Sequence, residues 1–221
     1  MLLQFRIKNY KVFKEEQVFS MLANEAYTDQ STTHTTTRQP YTLLNSTAIY
    51  GANASGKTIL LEAMAFAKDF ILESFKESMA EDPIDVEPFI LHTETEHAPS
   101  EFEFIFLSGE TRYRYGFAVT NAVVEEEWLY VKKKKETEYF YRADGSHDYN
   151  KTRLPIIKIL IDQQMVRNNT LTLSVLAQFN DSIAREIMHW FNSFNVISAL
   201  EPSAFKNYTI GRAKQDPDIK K

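Results

Sequence analysis

Eight residues constrain this chain more than any others: Gly51-Ala52-Asn53-Ala54-Ser55-Gly56-Lys57-Thr58. They read G-x-x-x-x-G-K-[ST], the phosphate-binding P-loop. The spacing follows from the chemistry. Glycines at both ends let the backbone curl so that successive N–H groups face phosphate oxygens. Lys57 reaches the β- and γ-phosphates as a compact cation, and the Thr58 hydroxyl is placed to coordinate Mg²⁺. A helix that opens here adds its positive dipole end. With glycine at about 7% of residues, the pattern arises by chance in roughly one chain in a hundred of this length.

The flanks supply the context the motif needs. Thr47-Ala48-Ile49-Tyr50 is a short apolar run suited to a buried strand, expected at the centre of a mixed sheet. From Ile59 to about Ser78, the residues Leu60, Met64, Ala67, Ile71 and Phe75 fall at helical spacing. The competing reading is an ordinary glycine turn before a helix, with a solvated lysine.

The chain has 221 residues, enough for one large domain or two small ones. It contains no cysteine, which excludes disulfides and thiolate metal sites and fits the cytoplasm. The first residues carry charge from Arg6 onward and do not form a signal peptide. No run approaches the roughly 18 apolar residues of a membrane span. A net charge of −5 argues against a chain that coats nucleic acid on all sides, and leaves room for a local basic surface.

Leu3, Phe5 and Ile7 alternate with polar residues as a half-buried strand, and Val12 to Met21 offers a second. Ser31 to Thr37 is a polar, threonine-rich stretch read as a loop, and His34 within it has no partner at metal spacing. Met79 to Pro99 is acidic, contains three prolines and reads as a connector. Phe102, Phe104 and Phe106, then Tyr113, Tyr115, Phe117 and Val119, alternate on either side of Ser108-Gly109-Glu110-Thr111, a hairpin. Further strands are expected near Val123–Val131 and Tyr139–Tyr141, with a turn at Ala143-Asp144-Gly145-Ser146. From Pro155 the character changes. Leu176, Phe179, Ile183, Ile187 and Trp190 predict one amphipathic helix of several turns, and the tail from Pro202 is polar.

Several of these stretches carry a family resemblance. Phe5-Arg6-Ile7-Lys8-Asn9-Tyr10-Lys11-Val12-Phe13 resembles the opening strand of ABC-type ATPase heads in the recombination and chromosome-maintenance group, RecF and SMC relatives among them. Ala48 to Thr58 is similar to their strand and P-loop. Val86-Glu87-Pro88-Phe89, Phe102-Glu103-Phe104, Tyr113-Arg114-Tyr115-Gly116-Phe117 and Glu127-Trp128-Leu129 resemble a narrower bacterial subgroup. That subgroup comprises AAA-type ATP-binding proteins related to the overcoming-lysogenisation-defect and abortive-infection ATPases. The resemblance implies an α/β P-loop NTPase fold. Residues 1–154 would be the first lobe of an ABC-type head with an antiparallel β extension, and residues 155–221 the mainly helical start of an incomplete second lobe. It implies ATP and Mg²⁺ as ligands, a head-to-head homodimer of the complete protein, and action on DNA or on a nuclease or toxin partner in phage defence.

The family's second half carries a strand ending Asp-Glu and a signature loop, and this chain offers only imitations. Leu107-Ser108-Gly109-Glu110 imitates the signature but falls in a hairpin turn. Ile159-Leu160-Ile161-Asp162 imitates the metal-binding strand, but Gln163 follows where Glu is needed, and the same residues fit a helix face. Leu200-Glu201-Pro202 lacks the aspartate and reads as a bend. Gln163, Gln164 and Gln178 are candidates for the glutamine that senses Mg²⁺ and the γ-phosphate, and each also reads as a solvated helix residue. Lys132-Lys133-Lys134-Lys135 is either a phosphate-backbone contact or a solvated hairpin balanced by Glu125-Glu126-Glu127. Tyr113, Tyr115 and Tyr139 alternate like sheet core rather than like a base-stacking platform, and Trp128 reads as buried rather than binding.

Three functions compete. The first is an ATPase head. The second, a GTPase or small kinase, lacks an N-K-x-D sequence and an arginine-rich lid. The third is a nucleotide-sensing module that binds ATP without hydrolysing it, which the missing Asp-Glu and signature favour.

Overall fold

A computed structural model describes residues 1–24, 33–75, 82–197, 206, 209 and 210. Seven strands form one antiparallel sheet: β1 (Leu2–Lys8), β2 (Gln17–Ser20), β5 (Ser100–Ser108), β6 (Thr111–Val119), β7 (Val124–Lys132), β8 (Glu136–Ala143) and β9 (Ser146–Tyr149). Their spatial order is β2-β1-β5-β6-β7-β8-β9. A separate ribbon pairs β3 (Thr35–Arg38) with β4 (Tyr41–Leu44). The helices are α1 (Lys57–Glu73), α2 (Pro155–Asp162), α3 (Thr172–Gln178) and α4 (Ser182–Ser193).

The alternating aromatics build the inner face of the sheet, because every second side chain points the same way. One cross-strand row reads Phe5, Phe104, Tyr115, Leu129, Phe140, Tyr149. The first five are fully buried, against α1 through Met64, Ala67 and Ile71 and against α4 through Ile187, Trp190 and Phe191. Phe106 stacks on Trp190 with ring centroids 4.0 Å apart. Tyr113, Tyr115 and Tyr139 are core residues, as alternation predicts. Trp128 lies half-buried on the opposite face, where its indole N–H donates to Glu103 at 2.7 Å.

The next inner row changes chemistry along its length: Ile7, Phe102, Phe117, Glu127, Arg142, His147. Glu127 is completely buried. Its carboxylate accepts from the Thr172 N–H at 2.6 Å, the Leu173 N–H at 2.9 Å and the Tyr115 hydroxyl at 2.9 Å. The Arg142 guanidinium donates to the carbonyls of Thr170, Arg167 and Asn168. The sheet thereby fixes the loop before α3. That loop in turn grips the C-terminal end of α1: Ser174 donates to the Ile71 carbonyl at 2.7 Å, and Thr170 donates to the Ser74 carbonyl at 3.3 Å.

At the other side of the sheet, Asn9 organises the chain. It has a left-handed backbone (φ 51), which asparagine tolerates. Its buried side-chain amide donates to the carbonyls of Thr95, Ala98 and Pro99 and accepts from the Phe89 N–H. One side chain thus satisfies the connector between α1 and β5. Asn9→Ala leaves those buried groups without partners and is expected to cost about 3 kcal/mol in urea unfolding.

Three expectations are corrected by the structure. Thr47–Tyr50 forms no strand and the sheet is not mixed. No strand lies beside these residues among those described, so their apolar side chains stay outside the core: Ile49 is 47% and Tyr50 91% exposed. Thr35–Thr37, read as loop, belongs to β3, because pairing with β4 outweighs a polar composition. The single helix through Leu176 and Trp190 is two: the chain breaks at Asn180 (φ 63), and Asp181 caps α4 by accepting from the Ala184 N–H. Ile159–Asp162 is helical, in line with the helix expected after Pro155, and is not a metal-binding strand. Leu200-Glu201-Pro202 and the tail beyond it, apart from residues 206, 209 and 210, lie outside the described residues.

Candidate functional site

Residues Gly51 to Thr58 curl over the start of α1, and Gly51 to Ser55 lie exposed at the surface. Gly56 takes a left-handed conformation (φ 89) and is the N-cap of α1, with no side chain capping the first N–H groups. No acidic residue occupies the first turn. The helix therefore presents unsatisfied N–H donors and its positive dipole end outward, an arrangement suited to an anion. A side chain at Gly56 would strike neighbours as well as strain the backbone, since its Cβ would lie 2.9 Å from the Phe13 ring and 3.2 Å from a Val12 methyl. At Gly51 an added Cβ would lie 2.7 Å from the Ser55 hydroxyl. Gly56 is the position that a side chain cannot occupy without moving the Tyr10–Phe13 turn, whereas at Gly51 rotation of the Ser55 hydroxyl would relieve the contact.

Lys57 is folded back over the loop. Its ammonium donates to the Gly51 carbonyl at 2.9 Å and the Ala52 carbonyl at 2.6 Å. The charge thus sits above the backbone curve, and the Thr58 side chain is exposed beside it. The loop could hold a phosphate group and a metal: the first N–H groups of α1 have no side-chain cap, the Lys57 ammonium lies beside them, and the Thr58 side chain is exposed.

The turn from Tyr10 to Phe13 buttresses the loop from below. Tyr10 and Phe13 exchange backbone hydrogen bonds at 2.9 and 2.8 Å, and Lys11 reaches Glu62 on α1 at 2.9 Å. The contact between this turn and Gly56 joins residues more than forty positions apart, and no local pattern announces it.

Next to the loop lies an open cavity of about 680 Å³, walled by Leu2, Phe19, Ile49, Leu60, Met64 and Phe194, with Lys57 and Thr58 at its edge. Asn195 lines it as well. This is a polar residue near the P-loop that sequence reasoning missed, because it follows the end of α4 without any motif.

The other candidates do not gather here. Asp162 is exposed at the end of α2 and pairs with Lys158 one turn earlier. Gln163 caps the same helix, and Gln178 ends α3 exposed. Gln164 lines a different cavity. None of these four lines the cavity at the P-loop. Gly109 and Glu110 form the two-residue turn between β5 and β6, so Leu107–Glu110 opens no helix. His34 is exposed in a turn, and Lys133, Lys134 and Lys135 are exposed in the turn between β7 and β8. No group of metal-ligating residues occurs among the described residues. No helix among them is long and apolar enough to cross a membrane.

A search of curated proteins finds no match. A family profile described as "AAA domain, putative AbiEii toxin, Type IV TA system" matches residues 46–169, a span that runs from just before the P-loop through β5–β9 and α2. The chain belongs to this family of AAA-type ATPases of the abortive-infection kind.

Proposed function

We propose that this chain binds ATP with Mg²⁺ through Gly51–Thr58 and serves as the nucleotide-binding first lobe of an ATPase that controls a partner in phage defence. The observation that carries the reading is the uncapped start of α1 behind a left-handed Gly56, with Lys57 poised over the loop. The loop N–H groups hold the phosphates, Lys57 exchanges its carbonyl partners for phosphate oxygens, and Thr58 holds the metal. Magnesium, when bound, neutralises charge that develops between the β- and γ-phosphates. Residues 1–154 form the first lobe in this reading, and residues 155–221 begin the second. The complete protein would pair head to head. DNA, contacted by Lys132–Lys135, and a nuclease or toxin are the partners the family context favours.

A second reading has its own observation. Asp162 lies on a salt-bridged helix and no Asp-Glu pair occurs in the sequence, which supports a module that binds ATP without hydrolysing it.

Calorimetry tests the binding site. Lys57→Ala is expected to reduce ATP affinity below detection, and Thr58→Ala to weaken binding chiefly when Mg²⁺ is present. Equal affinity of wild type and Lys57→Ala would exclude the P-loop role.

A further inference from the structure

Lys132–Lys135 is not balanced by the glutamates of its own strand. Glu125, Glu126 and Glu127 stand near the start of β7, and Lys132 ends it. At about 3.3 Å per residue, Lys132 is roughly 17 Å from Glu127, beyond the ~8 Å screening length of physiological salt. Glu127 faces α3, and Glu126 accepts from the Tyr141 hydroxyl at 2.8 Å. Closer to the lysines, Glu136 is engaged with Arg112 and Arg114, and Glu138 accepts from the Tyr130 hydroxyl. Lys133, Lys134 and Lys135 are exposed and make no ion pair among the described residues.

A cation from a distant segment joins them. Leu107, Arg112, Lys132 and Glu136 form one cross-strand row, so the β5–β6 and β7–β8 turns beyond it project side by side. Arg112 also donates to the Tyr41 hydroxyl at 3.3 Å, which brings the tip of the β3–β4 ribbon to the same end of the sheet. The open cavity between them, about 820 Å³, is lined by Arg38 and Lys133, with Thr37, Gln39, Leu107 and Glu110 among its walls. Arg38 is exposed and, like the lysines, has no ion-pair partner among the described residues. Glu110 is the one carboxylate lining the cavity. A chain with a net charge of −5 thus concentrates unpaired positive charge at one end of its sheet.

We propose that this groove holds double-stranded DNA by its phosphates, through Arg38, Lys133, Lys134 and Lys135. The inference rests on the DNA contact proposed above and deepens it, adding Arg38 and the form of the nucleic acid. No aromatic side chain lines the cavity, so a single strand finds no stacking surface there. A duplex carries one charge per ~1.7 Å, twice the density of a single strand. The roughly 12 Å wide major groove of B-form DNA admits the tip of a two-stranded ribbon such as β7–β8, whereas the major groove of A-form RNA is deep and narrow. Contacts to phosphates alone carry no sequence information. The groove lies at the far end of β1 from the P-loop: Leu2 pairs with Phe106 beside the cavity, and the turn that meets Gly56 through Phe13 follows the other end. The strand between them spans about 23 Å.

The test is fluorescence anisotropy of the 221-residue chain with a short DNA duplex of mixed sequence, without nucleotide. Between about 50 and 200 mM salt, log affinity should fall against log salt with a slope of roughly −3 to −4, the value for four phosphates. Arg38→Ala and Lys134→Ala should each reduce that slope by about one and weaken binding roughly tenfold near 0.1 M salt. Arg185→Ala, which removes an exposed cation on α4, should change neither. A single strand and an RNA duplex of the same length should bind more weakly, and ATP at matched ionic strength should not displace the DNA. Binding that Lys134→Ala weakens and Arg38→Ala does not would overturn the groove and leave the lysine contact standing. Absence of duplex binding, with ATP binding intact by calorimetry, overturns both DNA proposals while the P-loop reading stands. Equal effects of Arg185→Ala and Arg38→Ala, tighter binding of the single strand or the RNA duplex, or displacement by ATP also overturn the groove.

Discussion

Glu127→Ala is expected to destabilise the protein by about 3 kcal/mol or more, because it strips the acceptor from three buried donors, the Thr172 and Leu173 N–H groups and the Tyr115 hydroxyl. The substitution leaves the Arg142 charge uncompensated and removes the acceptor for the Thr172 and Leu173 N–H groups. Arg142→Met alone should cost a comparable amount, since it frees the Thr170, Arg167 and Asn168 carbonyls. The double variant Glu127→Leu with Arg142→Met should cost clearly less than the sum, because each single change strands the other charge. Urea unfolding of the three variants measures this coupling, and strict additivity would show that the two side chains act independently. The pH dependence has a definite sign. Burial raises the Glu127 pKa above its ordinary value of 4.5, with Arg142 opposing. The stability linked to this carboxyl is therefore fully present below 4.5 and declines as pH rises through the raised folded value. That decline should be missing from the Glu127→Ala chain.

The sheet was legible because its signal is local. Phe102, Phe104 and Phe106 alternate since one face is buried, and the facing hairpin repeats the pattern. The helix break at Asn180 was not, because Leu176 to Trp190 keeps helical spacing across it. A left-handed residue and an Asp N-cap can interrupt a helix while the apolar face stays in register. The threonine run of β3 has no buried residue of its own, and only its pairing with β4 makes it a strand. Ile159–Asp162 illustrates the opposite ambiguity: a short apolar run fits either element, and Pro155 at the helix start decides it.

The site divides in the same way. The P-loop is readable because backbone geometry and ligand chemistry fix residue types at close spacing. Its supports are not. Phe13 against Gly56, Asn9 holding the connector, and Glu127 holding α3 are all contacts between distant parts of the chain. The Asn9 stretch was noticed through resemblance, and the physical role of its amide emerges only from the three carbonyls around it. Buried polar residues on β7 and β8 interrupt an apolar pattern, which is a signal in principle, yet Glu125-Glu126-Glu127 masks which of three glutamates points inward.

Residues 1–221 alone are expected to bind ATP weakly, to remain monomeric with ATP, and to hydrolyse it near background. Turnover requires a held γ-phosphate, a metal site and a group that orients water. In the proposed reading, Gly51–Thr58 supplies the first and part of the second. Asp162, the nearest imitation of a catalytic aspartate, is engaged with Lys158 on a surface helix and lies in no strand. The residues leading into the P-loop point the same way. Thr47–Tyr50 makes no backbone hydrogen bond among the described residues, and Ile49 and Tyr50 stand largely in solvent. A run of unpaired backbone beside an apolar cavity is a place where a further strand can add. A polypeptide that carries an apolar strand ending Asp-Glu, with a signature loop, should pair there, bury Ile49 and line the phosphates with its carboxylates. Supplied in cis or in trans, it should produce ATP-dependent dimers and raise turnover by about 100-fold or more, the scale of a positioned general base. Ile49→Lys should block that gain. Turnover by residues 1–221 at the rate of an active ATPase, lost in Lys57→Ala, would overturn this expectation and return Asp162 to consideration as a catalytic residue.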